Sequence, residues 1–307
     1  MLSILIPTYN YNITRLVNDL HLQAGGLGID FEIIVMEDGS DTFVERNQRI
    51  SSLSHCKYIY LEQNTGRSAI RNRLADLAQY PYLLFMDCDA AVCNKDFLFR
   101  YLPFCQGEVV VIGGTAYDRG CNNPSYSLRL KYGRERESNP CYLLKNHEKE
   151  HDNVDNFTTF NFLISKSVFN RIRFDESISG YGHEDTIFGH SLHVKGFVFQ
   201  RIDNPLIHKG LDDNTTYLKK TSESVKNLYR LYRLGNYPFL AEESKLLRTF
   251  LKLKKYHLTG LVVLKFMFVR KMMEKNLTGK HPDLLVYDLY KLFLLCKYHV
   301  SSDKLTV

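Results

Sequence analysis

Short apolar runs that alternate with helical stretches in the first third of the chain constrain its fold more than any other feature. Residues 2–7 (LSILIP), 31–36 (FEIIVM), 58–61 (YIYL) and 82–86 (YLLFM) read as strands, several apolar enough to be buried on both faces. Between them, residues 12–22, 41–53 and 65–77 have helical spacing. Leu16, Val17 and Leu20 share one side of the first helix, and Gly25, Gly26 and Gly28 end it. Strands joined by helices imply right-handed crossovers and a parallel sheet covered on both faces, an α/β fold.

Ligands of such sheets sit beyond the carboxyl ends of the strands. Here those ends are Thr8-Tyr9-Asn10, Glu37-Asp38-Gly39, Glu62-Gln63-Asn64 and Asp87-Cys88-Asp89. Three of the four carry carboxylates to one rim. Asp87 and Asp89 at a fraying strand end can reach one cation, and two hard oxygen donors plus substrate phosphates suit Mg²⁺ or Mn²⁺. Glu37 and Asp38 can accept hydrogen bonds from a base or a ribose, or act as acids at a helix N-terminus. Asn64, Gly66, Arg67 and Arg71 share one turn and helix start. Gly66 lets the backbone approach a ligand, and the two arginines, four apart on one face, suit a diphosphate or a pairing with Asp87 or Asp89.

The second half is less regular. Residues 109–112 and 158–165 read as strands, residues 183–194 as a helix, and the polar segment 117–153 as a loop region. Glu184-Asp185 opens that helix after the glycine-punctuated loop Ser179-Gly180-Tyr181-Gly182-His183. A carboxylate held ionised there suits a general base or a plain cap. His208 is a further metal-ligand candidate. Residues 214–234 and 242–300 are helical and amphipathic.

In this order the motifs resemble glycosyltransferase family 2. The pieces are SILIPTYN, IIVMEDGS, QNTGRSAIRNRLADLA, LLFMDCDA and FDESISGYGHEDTIFGHSLHVKGF, all within about residues 1–210. The resemblance implies a GT-A fold: a Rossmann-like, mostly parallel sheet flanked by helices, with a helical C-terminal extension. It further implies a nucleotide-sugar donor, usually UDP-linked, a divalent metal (Mn²⁺ or Mg²⁺) and inversion at the anomeric carbon. On its pattern Thr8, Glu37 and Asp38 line the nucleoside, with Tyr9 and Asn64 beside them. Gly66 and Arg67 lie near the diphosphate, with Asp87 and Cys88 on the donor side. Asp87 and Asp89 make the metal motif, Asp89 as the more direct ligand, and His208 is the further candidate to complete the metal site. Glu184 and Asp185 face the acceptor, Asp185 as catalytic base. Departures are Glu37 for the usual Asp, Arg173 for a usual glycine and His183 for a usual aromatic. The expected division is a catalytic domain over 1–212, with a nucleotide-sugar half (1–105) and an acceptor half (106–212), and a basic helical region over 213–307.

The net charge of +6 is unevenly placed. Residues 245–280 hold many lysines and arginines against one acid, Glu274. Apolar residues from Leu247 to Met272 recur between those cations, as in a helix lying on an anionic membrane surface. No run reaches the ~20 apolar residues of a spanning helix. Seven cysteines with no CxxC pair, and a start on a strand with no leader pattern, point to a reducing cytoplasm. The expected protein is therefore a glycosyltransferase at the inner face of the cytoplasmic membrane, building a cell-surface glycan on a glycan or lipid-linked acceptor. It is expected to bind no nucleic acid. Two rivals are a catalytically inactive GT-A domain serving as a membrane-bound sugar-binding scaffold, and a sugar-phosphate nucleotidyltransferase. The latter calls for a glycine-rich, lysine-bearing loop after the first strand, where this chain has Tyr9-Asn10-Tyr11-Asn12.

Overall fold

A computed structural model describes residues 1–138 and 157–303 of the chain. These residues form two compact units. The first combines Met1–Asp118, Arg136–Ile178 and Glu184–Gly210; the second combines Arg119–Glu135, Ser179–His183 and Leu211–Val307.

In the first unit the expected alternation is present: β1 (Leu2–Thr8), α1 (Thr14–Gly25), β2 (Phe31–Asp38), α2 (Val44–Gln48), β3 (Cys56–Leu61), α3 (Arg67–Leu77) and β4 (Tyr82–Met86). The helix expected over 41–53 is shorter. Phe43 adopts φ 64°, α2 begins only at Val44, and residues Arg49–Ser52 tighten into a 3-10 turn. Then come β5 (Ala90–Ala91), β6 (Val110–Ile112) and β7 (Thr115–Ala116). The segment expected to be a loop over 117–153 contains a helix, α4 (Ser127–Tyr132), in the second unit; its residues 139–156 lie outside the described residues. The first unit continues with β8 (Asn161–Ser165), α5 (Lys166–Arg171), α6 (Glu184–Val194), β9 (Phe199–Arg201) and β10 (Leu206–His208).

The main sheet runs β3-β2-β1-β4-β8-β6-β9. β1 to β4 are mutually parallel, while β8 is antiparallel to both neighbours. Alternate residues of each strand face opposite layers. Ile4, Ile6, Val35, Leu84 and Met86 pack under α1, with Leu16, Val17, Leu20 and Tyr101. Leu5, Ile34, Leu83, Phe85 and Phe162 face α3, α5 and α6, meeting Ile70, Leu74, Phe169, Phe188 and Leu192. Apolar strands sandwiched in this way explain why their sequences show no polar face. A separate small sheet orders β5-β10-β7 and pairs His208 with Ala90.

The second unit continues with α7 (Asn214–Leu234), α8 (Phe239–Glu243), α9 (Lys245–Lys255), α10 (Thr259–Leu277) and α11 (Leu284–Asp303). Asp213 caps α7 by accepting from the backbone N–H groups of Thr215 and Thr216. α7 and α11 join through Thr221 Oγ1 and the Tyr287 hydroxyl at 2.8 Å, and through stacked Tyr217 and Tyr287 rings. α9 inserts Leu247 and Phe250, the latter against His299. α10 inserts Phe266 against Phe293 at 4.5 Å. The apolar stripe expected to be continuous from 247 to 272 is therefore broken by the turn at Tyr256–Leu258, and its two halves have different fates. Leu247 and Phe250 are core, whereas Leu261, Leu264, Phe268 and Met272 are exposed. No described helix is long and apolar enough to cross a membrane. No cysteine among the described residues is in a disulfide.

Beneath the rim of the first unit lies a buried polar knot. Asn161 Oδ1 accepts from the Tyr101 hydroxyl at 2.7 Å, and its Nδ2 donates to the carbonyls of Asn204 (2.8 Å) and Gly114 (3.2 Å). Gly113 closes over it, since a Cβ there would lie 2.1 Å from the Tyr101 hydroxyl. Asn161→Leu keeps the size of the side chain but strands these groups without water. It should lower the unfolding free energy by about 3 kcal/mol, read as a fall in urea midpoint with an unchanged slope.

Candidate functional site

The site is assembled at the carboxyl ends of β1 to β4. Much of the polar chemistry at the first strand ends is turned inward. Thr8 is buried, and its hydroxyl donates to the Ile6 carbonyl of its own strand at 3.4 Å. The Glu37 carboxylate is fully buried and accepts from Ser40, from Asn47 Nδ2 (3.0 Å) and from the Tyr58 hydroxyl (3.1 Å). Burial and this neighbouring negative charge push the Tyr58 phenol far above its ordinary range, so Tyr58 stays a donor. Asp38 accepts from the backbone N–H groups of Thr65 (2.7 Å) and Gly66 (3.1 Å), and Asn64 Nδ2 donates to the Asp38 carbonyl at 3.0 Å. Gly39 makes this close approach possible: a Cβ there would lie 2.5 Å from the Asn64 backbone nitrogen. Gly66 is required for another reason, its φ of +88° immediately before α3.

The strand-end loops are thus tied to one another, and what faces outward is different. Tyr9 is 52% exposed, and Asn64 and Arg67 are also at the surface. Asn10 secures the first loop to the second by accepting from the backbone N–H groups of Asp41 and Thr42.

At the β4 end, Arg71 is the central group. It is buried, with one guanidinium nitrogen 2.9 Å from Asp87 Oδ1 and 3.1 Å from Thr159 Oγ1, and the other 3.6 Å from Glu184 Oε1. Arg67, one turn earlier, reaches the same Glu184 oxygen at 3.5 Å. The two arginines four apart therefore converge on carboxylates, the structural alternative to phosphate binding, while Arg67 keeps half its surface open. Burial pushes the Glu184 carboxyl up, but the two guanidinium charges outweigh it and hold Glu184 below the ordinary glutamate range. Burial pushes the Asp87 carboxyl up, partly offset by Arg71.

Asp185 has the opposite environment. Its carboxylate accepts from the Thr186 backbone N–H at 2.7 Å at the start of α6. Burial, and then the adjacent negative Glu184, push it up to about 6. The two acids are thus set apart by their surroundings, one firmly ionised and one titrating near neutrality. A carboxyl raised in this way contributes stability below its unfolded pKa and loses it as pH rises through the folded value. Ionised Asp185 is therefore a standing strain at neutral pH.

Asp89 lies beside this network, and its negative charge adds to the upward push on Asp87. Asp89 Oδ2 lies 3.2 Å from His208 Nε2. The β5–β10 pairing produces this contact, bringing residues far apart in sequence side by side. The imidazole is packed between Tyr117 and Phe160, with Nδ1 lacking a hydrogen-bond partner among the described residues. Gly210 leaves room here, since a Cβ would sit 2.1 Å from Asp89 Oδ2. Among the described residues no group of three or more His, Cys, Asp or Glu is placed to hold a metal. The expected trio of Asp87, Asp89 and His208 is not gathered: Asp87 is held by Arg71. A carboxylate oxygen and an imidazole nitrogen side by side nevertheless fit a cation such as Mn²⁺ that takes its remaining ligands from phosphate and water. Burial pushes the Cys88 thiol far up and keeps it neutral, packed against the core. Of the departures from the family pattern, Arg173 forms a two-pronged pair with Asp76 at 2.7 and 2.8 Å. His183 adopts φ 77° and lies 3.1 Å from the Ser224 carbonyl. Thr159, Asn161 and Tyr101 carry no motif and were not anticipated.

This chain is similar to known proteins over most of its length. It is 26% identical over 270 residues to the chondroitin synthase of Pasteurella multocida (strain Pm70), covering 75% of this chain and 28% of that protein. The chain therefore spans little more than a quarter of that relative. Among solved structures, the mannosyltransferase PcManGT from Pyrobaculum calidifontis, in complex with GDP-Man and Mn²⁺, superposes with a TM-score of 0.57 at 14% identity. The match covers 95% of this chain and 85% of that one. S. aureus TarS 1-349 in complex with UDP-GlcNAc gives 0.50 at 17% identity, covering 99% and 91%. These likenesses place the fold in the GT-A class. Residues 3–173 match Glycosyl transferase family 2, more than half of the chain, and the chain belongs to that family.

Proposed function

We propose that this glycosyltransferase moves a sugar from a UDP-linked donor to a hydroxyl of a growing glycan or lipid-linked acceptor, with inversion, in cell-surface polysaccharide synthesis. The observation that carries the reading is the pair at the start of α6. Glu184 is held ionised by Arg67 and Arg71, and Asp185 beside it titrates near neutrality. A group poised there can take the acceptor proton as the oxygen attacks the anomeric carbon. Tyr9 offers an exposed ring for a base, and Arg67, half exposed beside Glu184, places a guanidinium near the site of a diphosphate. Asp89 and His208 would hold a divalent cation, which would neutralise the departing diphosphate. A chondroitin synthase relative, and fold neighbours solved with UDP-GlcNAc and with GDP-Man and Mn²⁺, support the donor class and the metal. A catalytically inactive scaffold would have no use for an acid tuned in this way.

A membrane location is supported by α10, which has two apolar faces. Thr259, Phe266, Met273 and Leu277 point into the second unit, while Leu261, Leu264, Phe268 and Met272 are exposed on the opposite side. Lys265, Lys271 and Lys275 are interleaved with the exposed set and have no ion-pair partner among the described residues. Apolar groups ringed by uncompensated cations match an anionic lipid surface, and we assign this face to the inner leaflet of the cytoplasmic membrane.

Base, cation and membrane surface are each open to measurement. Asp185→Asn should lower transfer by ~10²–10⁴ while UDP affinity persists. The wild-type rate should rise with pH through about 6, and Glu184→Gln should move that limb to lower pH by removing the adjacent charge. Collapse of UDP affinity in Asp185→Asn would place that residue with the donor instead. Calorimetry should show UDP binding strengthened by Mn²⁺ in the wild type and indifferent to it in Asp89→Ala; equal binding in EDTA would remove the cation from the mechanism. Because α9 to α11 carry core residues, membrane contact is tested with surface changes, not truncation. The intact chain should float with anionic vesicles at low salt and less at high salt, and Leu264→Glu/Phe268→Glu should remain behind. Equal flotation of the double variant would refute the assignment.

A further inference from the structure

Within the second unit, the loop Ser179–His183 is fastened along α7. Arg230 donates to Ser179 Oγ at 2.8 Å, Asn227 Nδ2 donates to the Gly182 carbonyl at 3.0 Å, and His183 sits against Ser224. Gly180 and Gly182 adopt φ of 93° and 86°. A Cβ at Gly182 would lie 2.9 Å from Ser224 Oγ, so the tight seating depends on glycine.

This loop, α7 and the end of α11 line an open cavity of about 550 Å³, a volume typical of small-molecule sites. Tyr181, Tyr229 and Tyr298 line it, and internal contacts fix two of the rings. The Tyr229 hydroxyl lies 3.2 Å from His299 Nδ1, and the Tyr298 hydroxyl lies 2.7 Å from Ser222 Oγ. Around them stand Lys226, Arg230 and Arg233, against one acid, Glu223. The cations recur at i, i+4 and i+7 on α7, which puts them on one face. Among the described residues Lys226 has no ion-pair partner, and Arg230 donates to the neutral Ser179 hydroxyl.

Fixed aromatic rings beneath a cationic rim are complementary to a ligand with a flat apolar face and a negative group. We infer that this cavity binds an anionic sugar unit, carrying a carboxylate or a phosphate, of the acceptor glycan. The loop that walls it immediately precedes Glu184 and Asp185 in the sequence. Calling that sugar an acceptor rests on the transfer reaction proposed above; selectivity for a negative sugar does not.

The test is ligand-observed NMR titration of the intact protein with methyl β-D-glucuronide, glucose 6-phosphate and the neutral methyl β-D-glucoside. The glucuronide or the phosphate should bind at least tenfold more tightly than the glucoside. Lys226→Gln, and separately Arg233→Gln, should weaken that ligand by about tenfold, the scale of one charge-assisted hydrogen bond. A melting temperature equal to wild type certifies each fold, and Lys275→Gln on α10 serves as the charge control. Comparing the two anions decides between carboxylate and phosphate. Equal binding of the neutral glucoside, or unchanged affinity in both folded variants, overturns the inference. UDP displacing the sugar through the same Lys226 dependence would make the cavity a nucleotide site and equally overturn it. Donor hydrolysis measured in parallel separates the two readings. Anion-selective binding without turnover would sink the transferase reaction and leave the cavity standing, and turnover with no anion selectivity would do the reverse.

Discussion

The buried guanidinium of Arg71 is the interaction on which the rest of the site depends. A charge taken out of water must be met by partners at close range, and removing one partner leaves the others uncompensated. Asp87, Thr159 and Glu184 meet it here. They come from the end of β4, the approach to β8 and the first residue of α6. One side chain thus fixes three segments that are distant in sequence. Arg71 is itself placed by α3, whose start is secured by Asp38 through the N–H groups of Thr65 and Gly66.

This arrangement divides the carboxylates into two kinds. Glu37, Asp38, Asp87 and Glu184 are occupied within the protein and hold strand ends and helix starts in register. Asp185 and Asp89 retain surroundings suited to reaction: one is destabilised as an anion, the other is set against an imidazole. The first kind produces the second. Arg67 and Arg71 are the main groups that offset the burial of Glu184 and keep it ionised, and its negative charge is then one reason Asp185 is pushed up to about 6. Gln in place of Glu184 would keep the shape and lose that electrostatic effect.

Sequence showed the strands whose burial on both faces writes itself as an apolar run, namely β1, β2 and β4, and the rim to which they lead. It also showed Arg67 and Arg71 as a pair and left open whether they meet phosphate or carboxylate. The two-residue strands β5 and β7 and the three-residue β10 were invisible, because elements so short have no periodicity. Their pairing nevertheless puts His208 against Asp89. The antiparallel insertion of β8 was equally hidden, since direction is set by connections and not by composition. Phe43 ended the anticipated second helix through a left-handed backbone that an aromatic side chain does not announce. In α10 the apolar residues were visible but their two faces were not, because only packing shows that Phe266 and Met273 are core while Phe268 and Met272 are surface.

The same contrast separates the proposed reacting groups from the cavity inferred to hold a sugar. The proposed reacting groups lie at strand ends and at a helix start, positions that local sequence marks through apolar runs, glycines and acids. The seating of the Ser179–His183 loop on α7 depends on Asn227, Arg230 and Ser224, ordinary polar residues of an amphipathic helix. Nothing in their spacing distinguishes a solvated face from a recognition surface. Charge supplies the distinction only after folding, when three cations along α7 are found around the same cavity as three tyrosine rings. Chemistry held by short-range backbone geometry can remain while a helix face changes charge by single substitutions.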